Sequence, residues 1–402
     1  MRRVHRGAFS QAVLASTLDS HSLSKQDRSL VTDLLYGTLR YQVLLEACLA
    51  PKLKRPHKLP ALVYNALRLG SYELLIRETP RFAAVNAWVD VVKRHEPRLA
   101  GLVNAVLRRV DRLNDLPSST QHGLPEWLHD IWQTQFDDGL AERIATGMNQ
   151  PEPLWVSVYD DRARENLEAE GCEVRAGPVE HSLALRPSKP LQHLNAFKQG
   201  WLQPQNPSSR LPVTLLNPAA GTRVFDLASG NGIKAAQLAG MGAQVISVDN
   251  QAAKLERAER NLTRLGFTAT SITHDLRTPL DEAPAPYVLL DAPCSGTGTL
   301  RGNPELRQRV TPETITELAD LQKQLLSTAA ALCASGGNLV YAVCSLQQAE
   351  AEDNATWFLE THSDFTASVF ELPVANIHQS LGHYIIPEGG LDGFYIARFT
   401  RA

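Results

Sequence analysis

The chain of 402 residues is too long for a single simple core, and its hydrophobic content of 43% is ordinary for a globular protein. No apolar run approaches the ~20 residues of a membrane helix, and polar residues interrupt the stretch after the basic start, which argues against a signal peptide. The five cysteines are scattered and lack a C-x-x-C spacing, so we expect no disulfide framework and no metal site, and a cytoplasmic location fits.

Charge is distributed unevenly along the chain. The formal net charge is only −3, yet residues 1–112 hold 19 Lys and Arg against 9 Asp and Glu. A basic amino-terminal third on a nearly neutral chain is typical of a nucleic-acid-binding domain. The alternative is a solvated charged surface without a partner.

The first 118 residues are predicted to form an all-α domain. Apolar residues recur at helical spacing, and breaks fall at Pro51–Pro60 and Pro80. Basic residues concentrate in the segment 52–58 and around Arg108, Arg109 and Arg112.

A small α+β unit is predicted over residues 119–199, after a polar linker. The segments Trp155–Tyr159 and Ser182–Arg186 alternate as strands do, and Arg162–Glu170 has a helical pattern.

From residue 200 to 402 the pattern changes to alternating strands and helices, which predicts a doubly wound α/β domain of the Rossmann-like kind. Five strands are expected, with three main helices between them. The strands are Arg223–Leu227, Gln244–Asp249, Thr270–Asp275, Tyr287–Asp291 and Leu339–Val343; the helices are Lys234–Ala239, Ala252–Leu265 and Pro312–Ala334.

Acidic residues end the first three of these strands and indicate a cofactor site. A glycine turn follows Asp226, and Asp249 ends the second strand, where a carboxylate can bind both ribose hydroxyls. Asp275 ends the third strand, where it can accept a hydrogen bond from an adenine amine. A dinucleotide would satisfy the first two features and S-adenosylmethionine all three; alternatively, Asp249 and Asp275 only cap loops.

Two cysteines follow the ends of the fourth and fifth strands. Cys294 and Cys344 should face one crevice, because the carboxyl ends of parallel strands meet at one edge of a sheet, and Asp291 lies beside them. Carbon-5 of cytosine becomes nucleophilic when a thiolate adds to carbon-6, and a carboxyl group can stabilise the charge at N3. One thiol can attack while the other helps release; either cysteine alone could instead be a buried structural thiol.

These motifs resemble those of a known family. The segments Asp291–Gly298 and Tyr341–Leu346, with Arg301, Pro304 and Glu305 between them, are similar to the RNA cytosine-5 methyltransferases of the NOP2/Sun type. The segments Asp27–Arg40, Gly70–Leu75 and Gly101–Arg109 resemble the NusB-like RNA-binding domain. The combination is similar to the B group of bacterial 16S ribosomal RNA methyltransferases.

The resemblance implies that Cys344 is the nucleophile, that Cys294 assists release and that Asp291 belongs to the same site. It places Gln205 and Ser208 in a segment before the first strand that the family also has. The glycine turn departs from the family pattern, with Asn231 in place of proline and Ile233 in place of glycine. The implied S-adenosylmethionine contacts are Asp226, Ala228, Ser229, Gly230, Gly232, Lys234, Asp249, Asp275 and Asp291.

The sequence therefore predicts an S-adenosylmethionine-dependent enzyme, expected to be a monomer, that methylates cytosine carbon-5 in RNA, above all 16S ribosomal RNA. Three alternatives remain open from the sequence. They are a transfer RNA methyltransferase, a non-catalytic RNA-binding or ribosome assembly factor, and an NAD-linked enzyme, which gives the paired thiols no role.

Overall fold

A computed structural model describes the chain from Met1 to Ala402, which divides into two units. The first comprises Met1–Gln150 together with Leu300–Arg309, and the second comprises Pro151–Thr299 together with Val310–Ala402. The three-part division with boundaries at 118 and 199 was drawn from sequence patterns and stays a prediction.

The first unit is helical, as the apolar stripes predict. Leu67, Val85 and Val103 are fully or almost fully buried in one core with side chains from neighbouring helices. Pro60 and Pro80 stand immediately before two of the helices, where the missing N–H of proline costs no hydrogen bond. The helices are α1 (Arg2–His5), α2 (Ser10–Asp19), α3 (Lys25–Arg40), α4 (Gln42–Leu49), α5 (Ala61–Leu75), α6 (Arg81–His95), α7 (Ala100–Leu107), α8 (Ser118–Gln121), α9 (Glu126–Phe136) and α10 (Asp138–Gly147).

The segment Leu300–Arg309 is held in the first unit by buried polar side chains. The Glu305 carboxylate accepts hydrogen bonds from the Ser10 amide at 2.9 Å and the Ser10 hydroxyl at 2.7 Å. The guanidinium of Arg307 is buried and donates to four oxygens from separate parts of the unit. These acceptors are the main-chain oxygens of Arg40 (2.7 Å), His122 (3.0 Å) and Met148 (2.8 Å), and Oδ1 of Asn149 (3.0 Å).

A small antiparallel sheet opens the second unit and confirms the predicted α+β element. Its strand order is β2-β3-β1-β4, so two of the four strands, β2 and β4, escaped the sequence analysis. The elements are β1 (Leu154–Val158), α11 (Arg162–Ala169), β2 (Glu173–Ala176), β3 (Ser182–Arg186), α12 (Asn195–Lys198) and β4 (Leu202–Pro204).

A nine-stranded mixed sheet forms the rest of the second unit. Five neighbouring strands are parallel, in the order β9-β8-β5-β6-β7, which confirms the doubly wound fold. The elements are α13 (Pro207–Leu216), β5 (Arg223–Leu227), α14 (Ile233–Gly240), β6 (Gln244–Asp249), α15 (Ala252–Leu265), β7 (Thr270–Thr273), β8 (Ala285–Asp291), α16 (Pro312–Leu332), β9 (Cys333–Val343), α17 (Glu352–Thr361), β10 (Phe365–Ala367), β11 (Asn376–Gln379), β12 (Gly382–Ile385) and β13 (Phe394–Arg401).

The antiparallel part of this sheet was not predicted from the sequence. Strand β13 pairs with β9, so that Ile396 lies opposite Ala342 and Tyr395 opposite Val343. As a result β9 is an interior strand, and both Tyr341 and Val343 are fully buried. The third predicted strand also ends earlier than expected, at Thr273, which leaves Asp275 in the following loop.

Candidate functional site

The carboxyl ends of three neighbouring parallel strands carry the predicted reactive groups. The chain passes from β5 to β6 on one side and later returns to β8 on the other side, so the strand order reverses between β5 and β8. Ligands of open α/β sheets bind outside the carboxyl ends of the strands at such a point. Asp291 at the end of β8 pairs with Ala342 of β9, two residues before Cys344, so these strand ends are level.

The two thiols meet at this edge of the sheet. The Sγ atoms of Cys294 and Cys344 lie 3.1 Å apart, although 50 residues separate them in the chain. Cys344 directly follows β9, whereas Cys294 lies in the loop after β8. Both side chains are half-buried. The Gly298 amide donates to the Cys344 carbonyl oxygen at 3.0 Å, which joins the two loops.

The Cys294 thiol is affected by the neighbouring sulfur and by burial. The hydrogen bond with Cys344, together with burial and the nearby charges of Cys344 and Glu350, raises the pKa of Cys294 well above its ordinary value. A thiol with a raised pKa keeps its proton at neutral pH, and the thiolate is the nucleophilic form of cysteine. Burial and the contact between the two thiols therefore favour the protonated form of Cys294.

Asp291 is paired with a lysine from the glycine turn. The Lys234 ammonium donates to Oδ2 of Asp291 at 2.6 Å and to the Ser209 hydroxyl at 3.0 Å. It also lies 5.6 Å from the centre of the Phe394 ring. The Lys234 side chain is 7% exposed and that of Asp291 is 32% exposed. The carboxylate is thus oriented by a buried cation and still accessible from solvent.

A cavity of about 350 Å³ opens at the same point and includes the glycine turn. Gly232 has a φ of +73°, and a Cβ there would lie 2.6 Å from the Cβ of Ala258, so only glycine fits. At Gly230 no atom comes closer than 3.9 Å to such a Cβ, which leaves open space beside the turn. The residues around the cavity are Pro204, Gln205, Ser209, Asp226, Ala228, Ser229, Gly230, Asn231, Ile233, Lys234 and Asp291.

The chemistry of this lining fits the amino-acid end of S-adenosylmethionine. That end carries an ammonium and a carboxylate, and the lining offers the carboxylates of Asp226 and Asp291, the ammonium of Lys234 and two hydroxyls. Of the two departures from the family's turn, Asn231 accepts a hydrogen bond from Arg257 at 3.0 Å, and Ile233 is half-buried at the cavity wall.

Asp226 is a buried carboxyl group with little hydrogen bonding. It accepts a hydrogen bond from the Ser229 hydroxyl at 2.6 Å. Burial, which is the largest cause, and the charge of Asp291 together raise its pKa to about 7 against the opposing effects of Ser229 and Lys234. Asp226 therefore takes up a proton near neutral pH, where an ordinary carboxyl group is ionised.

The remaining two predicted cofactor residues occupy different environments. Asp249 is buried, and its oxygens accept from the amides of Gly230 at 3.0 Å and Gln251 at 2.9 Å. Asp275 is paired with Arg277 through Nε at 3.0 Å, and this arginine lowers the pKa of Asp275 to about 2. Both carboxylates cap loops, and neither is part of the cavity lining, so their cofactor contacts remain predictions.

Several residues of this region escaped the sequence analysis. Ser209 reaches the Lys234 ammonium, whereas the neighbouring Ser208 donates to the Asp392 main-chain oxygen at 2.8 Å. Glu350 was also missed, although it is fully buried and hydrogen-bonded to the residue after each cysteine. A glutamate six residues after Cys344 gives no local signal, because only the fold brings it to the loop of Cys294.

Neither a membrane-spanning helix nor a cluster of metal ligands is found in the structure. No helix combines the length and the apolarity that crossing a membrane requires. No group of three or more His, Cys, Asp or Glu side chains is arranged to hold a metal ion.

Comparisons with known proteins match both units. A family model described as 16S rRNA methyltransferase RsmB/F matches residues 213–400, and a NusB family model matches residues 2–112. The ribosomal RNA small subunit methyltransferase B of Thermus thermophilus is 42% identical over 398 residues, which are 99% of this chain and 95% of that protein.

Solved structures share the fold. The crystal structure of PH0851 has a TM-score of 0.85 at 24% identity and covers 97% of this chain and 94% of its own. The structure of NSun6 from Pyrococcus horikoshii with SFG, an S-adenosylmethionine analogue, has a TM-score of 0.61 at 18% identity. It covers 69% of this chain and 98% of its own.

Proposed function

Because the chain belongs to the ribosomal RNA small subunit methyltransferase B family, we propose that it methylates carbon-5 of a cytosine in 16S ribosomal RNA through a covalent adduct with Cys344. The chain is an S-adenosylmethionine-dependent RNA methyltransferase. The observation that carries the covalent mechanism is the 3.1 Å separation of the Cys294 and Cys344 sulfurs at the carboxyl ends of neighbouring strands.

In the proposed reaction Cys344 forms a bond to carbon-6 of the cytosine, and the electron pair displaced from the ring double bond makes carbon-5 nucleophilic. Asp291 in its protonated form would donate a hydrogen bond to N3 at the ring edge and so stabilise the negative charge that develops there. S-adenosylmethionine, when bound, supplies the methyl group. Loss of the carbon-5 proton then restores the double bond and releases Cys344, and Cys294 assists this last step.

The positions of the two sulfurs are compatible with this division of roles. Cys294 lies in the loop after β8 with its sulfur 3.1 Å from that of Cys344, close enough to act on the adduct when it is released. Cys344 follows the interior strand β9 directly, so the main chain just before it is held by strand pairing on both sides, at Val343 with β13 and at Ala342 with β8.

We assign the cofactor contacts to the cavity residues and to the acids at the neighbouring strand ends. Lys234 and Asp291 would meet the charged groups of the amino-acid end, and Asp249 the ribose. Asp226, Ala228, Ser229, Gly230 and Gly232 would form the turn beneath the cofactor, and Asp275 would lie nearest the base.

The helical unit is proposed to bind the RNA backbone. Its basic segment 52–58 exposes Lys52, Lys54, Arg55 and Lys58, and the end of the seventh helix is followed by three exposed arginines. Phosphate contacts of this kind position a nucleic acid without reading its sequence. We also propose that the enzyme works in the cytoplasm as a monomer, and that the target base is unstacked to reach Cys344.

The test is methylation of 16S ribosomal RNA by the purified protein and S-adenosylmethionine, read out by bisulfite sequencing. We expect one or a few protected cytosines with the wild type and none with Cys344→Ala. Cys172→Ala, which removes a buried thiol from the small sheet, is the control and should retain the product. Retained methylation in Cys344→Ala would refute the nucleophile, and calorimetry showing no cofactor binding would favour an assembly factor instead.

A further inference from the structure

A buried carboxylate joins the two cysteine loops. Glu350 is fully buried in the turn between β9 and α17. It accepts hydrogen bonds from the Ser295 amide at 2.8 Å, the Ser295 hydroxyl at 2.5 Å and the Ser345 hydroxyl at 2.6 Å. Ser295 directly follows Cys294 and Ser345 directly follows Cys344, so the Glu350 side chain is hydrogen-bonded to the residue next to each cysteine.

The same carboxylate is fixed from the helical layer of the second unit. Gln322 of α16 donates from Nε2 to Oε1 of Glu350 at 3.1 Å and to the Pro293 main-chain oxygen at 2.9 Å. Its own Oε1 accepts from Tyr341 at 3.0 Å and Asn354 at 2.8 Å. The loop of Cys294 is therefore held on both sides of the cysteine, at Pro293 and at Ser295.

We propose that Glu350 is a positioning residue, which sets the distance between the sulfurs of Cys294 and Cys344 through Ser295 and Ser345. Its catalytic consequence rests on the proposed covalent mechanism, but the positioning itself does not. Four donors converge on this carboxylate, and each belongs to a side chain or amide that is itself buried. A group with so many fixed partners restricts both loops, because moving either sulfur would break a hydrogen bond between buried groups.

The chain supplies a matched control for this role. Glu352 is a second buried glutamate, only two residues further on, whose carboxylate accepts from the Tyr395 hydroxyl at 2.6 Å and the Leu381 amide at 2.8 Å. These partners belong to the antiparallel part of the sheet and to neither cysteine loop. Glu352→Gln thus disturbs a comparable buried carboxylate without the proposed connection to the thiols.

The positioning can be measured without any methyl transfer. Diamide takes two electrons and two protons from a pair of thiols, which leaves a disulfide and the reduced hydrazine, and the rate depends on how the thiols are held. We expect a brief diamide pulse followed by mass spectrometry to show rapid formation of the Cys294–Cys344 disulfide in the wild type. Glu350→Gln should slow it about tenfold, although losing the negative charge lowers the pKa of Cys294 and by itself favours the reaction. Glu350→Asp, which keeps the charge, should slow it less, and Glu352→Gln by less than about twofold.

The catalytic consequence is measured separately. Glu350→Gln should lower kcat about a hundredfold while KM for RNA and Kd for S-adenosylmethionine stay within about twofold, because Glu350 acts on the sulfurs and not on binding. If Glu350→Gln does not fold, Ser295→Ala and Ser345→Ala each remove one of the connecting hydroxyls and should each slow disulfide formation.

The outcomes separate this inference from the proposed function. Wild-type disulfide rates in Glu350→Gln and in both serine variants, or an equal loss in Glu352→Gln, would overturn the positioning role. Slowed disulfide formation together with normal turnover in Cys344→Ala would leave the positioning intact and refute the covalent mechanism.

Discussion

Glu350 and Arg307 are both buried charged side chains, yet their partners are of different kinds. Glu350, in the second unit, is bound by two hydroxyls, an amide N–H and a side-chain amide, all next to or near the cysteine loops. Arg307, in the first unit, donates mainly to main-chain carbonyl oxygens that belong to three separate parts of the helical chain. The Glu350 carboxylate is thus bound by groups next to the two cysteines, whereas the Arg307 guanidinium is bound mainly by the main chain.

The difference indicates what each charge does. A buried charge needs several polar partners. The chain segments that carry these partners are held in place by their hydrogen bonds to the charge. Around Glu350 these segments are the loops of Cys294 and Cys344, so the loss of Glu350 should change the reaction rate. Around Arg307 these segments are the helices of the first unit and the segment Leu300–Arg309, so the loss of Arg307 should change stability. Burial and the neighbouring Arg40 lower the pKa of Arg307 to about 9, so it still carries its charge at neutral pH.

The largest expected effect comes from removing the Cys294 thiol, one of the two that Glu350 is proposed to position. Cys294→Ala should allow Cys344 to attack but not to leave, so the enzyme stops with the RNA attached and multiple turnover is lost. Denaturing gel electrophoresis with labelled RNA should show the covalent complex. Cys333→Ala, at a buried thiol of the same unit, should turn over normally. A gel with only free protein for Cys294→Ala would contradict the release role.

Arg307→Met tests whether the buried Arg307 stabilises the helical unit. It keeps a long apolar side chain but leaves four buried acceptors without their donor, so we expect the helical unit to lose about 3 kcal/mol of unfolding free energy. Urea denaturation followed by far-ultraviolet circular dichroism measures it.

The exposed Arg109→Met is the control for this loss and should change stability by less than about 0.5 kcal/mol. The affinity for S-adenosylmethionine should not change, because the cofactor cavity belongs to the second unit. Equal stability of the two variants would show that the carbonyl groups find other donors.

Asp226 extends the comparison to a buried carboxyl group with few donors. Its pKa is raised to about 7 in the folded chain, so the folded state binds the proton more tightly than the unfolded state does. Its contribution to stability is therefore full below about pH 4 and is lost as the pH rises towards 7, by up to about 4 kcal/mol. Asp226→Asn should lose this slope in a series of urea titrations from pH 4 to 8. A wild-type slope in the variant would assign the titration to another group.

The smallest effects are expected at the two capping carboxylates. Asp249→Ala removes the acceptor of the Gly230 amide and should weaken S-adenosylmethionine binding about tenfold, whereas Asp275→Ala, at a half-exposed carboxylate paired with Arg277, should weaken it about threefold. Isothermal calorimetry compares them. A larger loss at Asp275 would mean that the arginine is displaced when the cofactor binds.

Much of the fold could be predicted because its signals are local. Strands such as Arg223–Leu227 and Gln244–Asp249 end where the sequence analysis placed them, since short apolar runs bounded by turns are typical of parallel strands. The convergence of Cys294, Cys344 and Asp291 also follows from local order, because parallel strands present their carboxyl ends at one edge. The strands β10–β13 were missed, since what makes them strands is pairing with each other and with β9.

The sequence by itself determined the parallel sheet, the glycine turn at its edge and the two cysteines to which the proposed chemistry is assigned. Only the tertiary structure decided that Glu350 grips both cysteine loops and that Arg307, from a segment of the methyltransferase sequence, is buried among the helices of the first unit. The physical reason is the range of the interactions. Hydrophobic periodicity and turn chemistry act over a few residues, whereas a buried charge collects its partners from wherever in the chain the fold brings polar groups together.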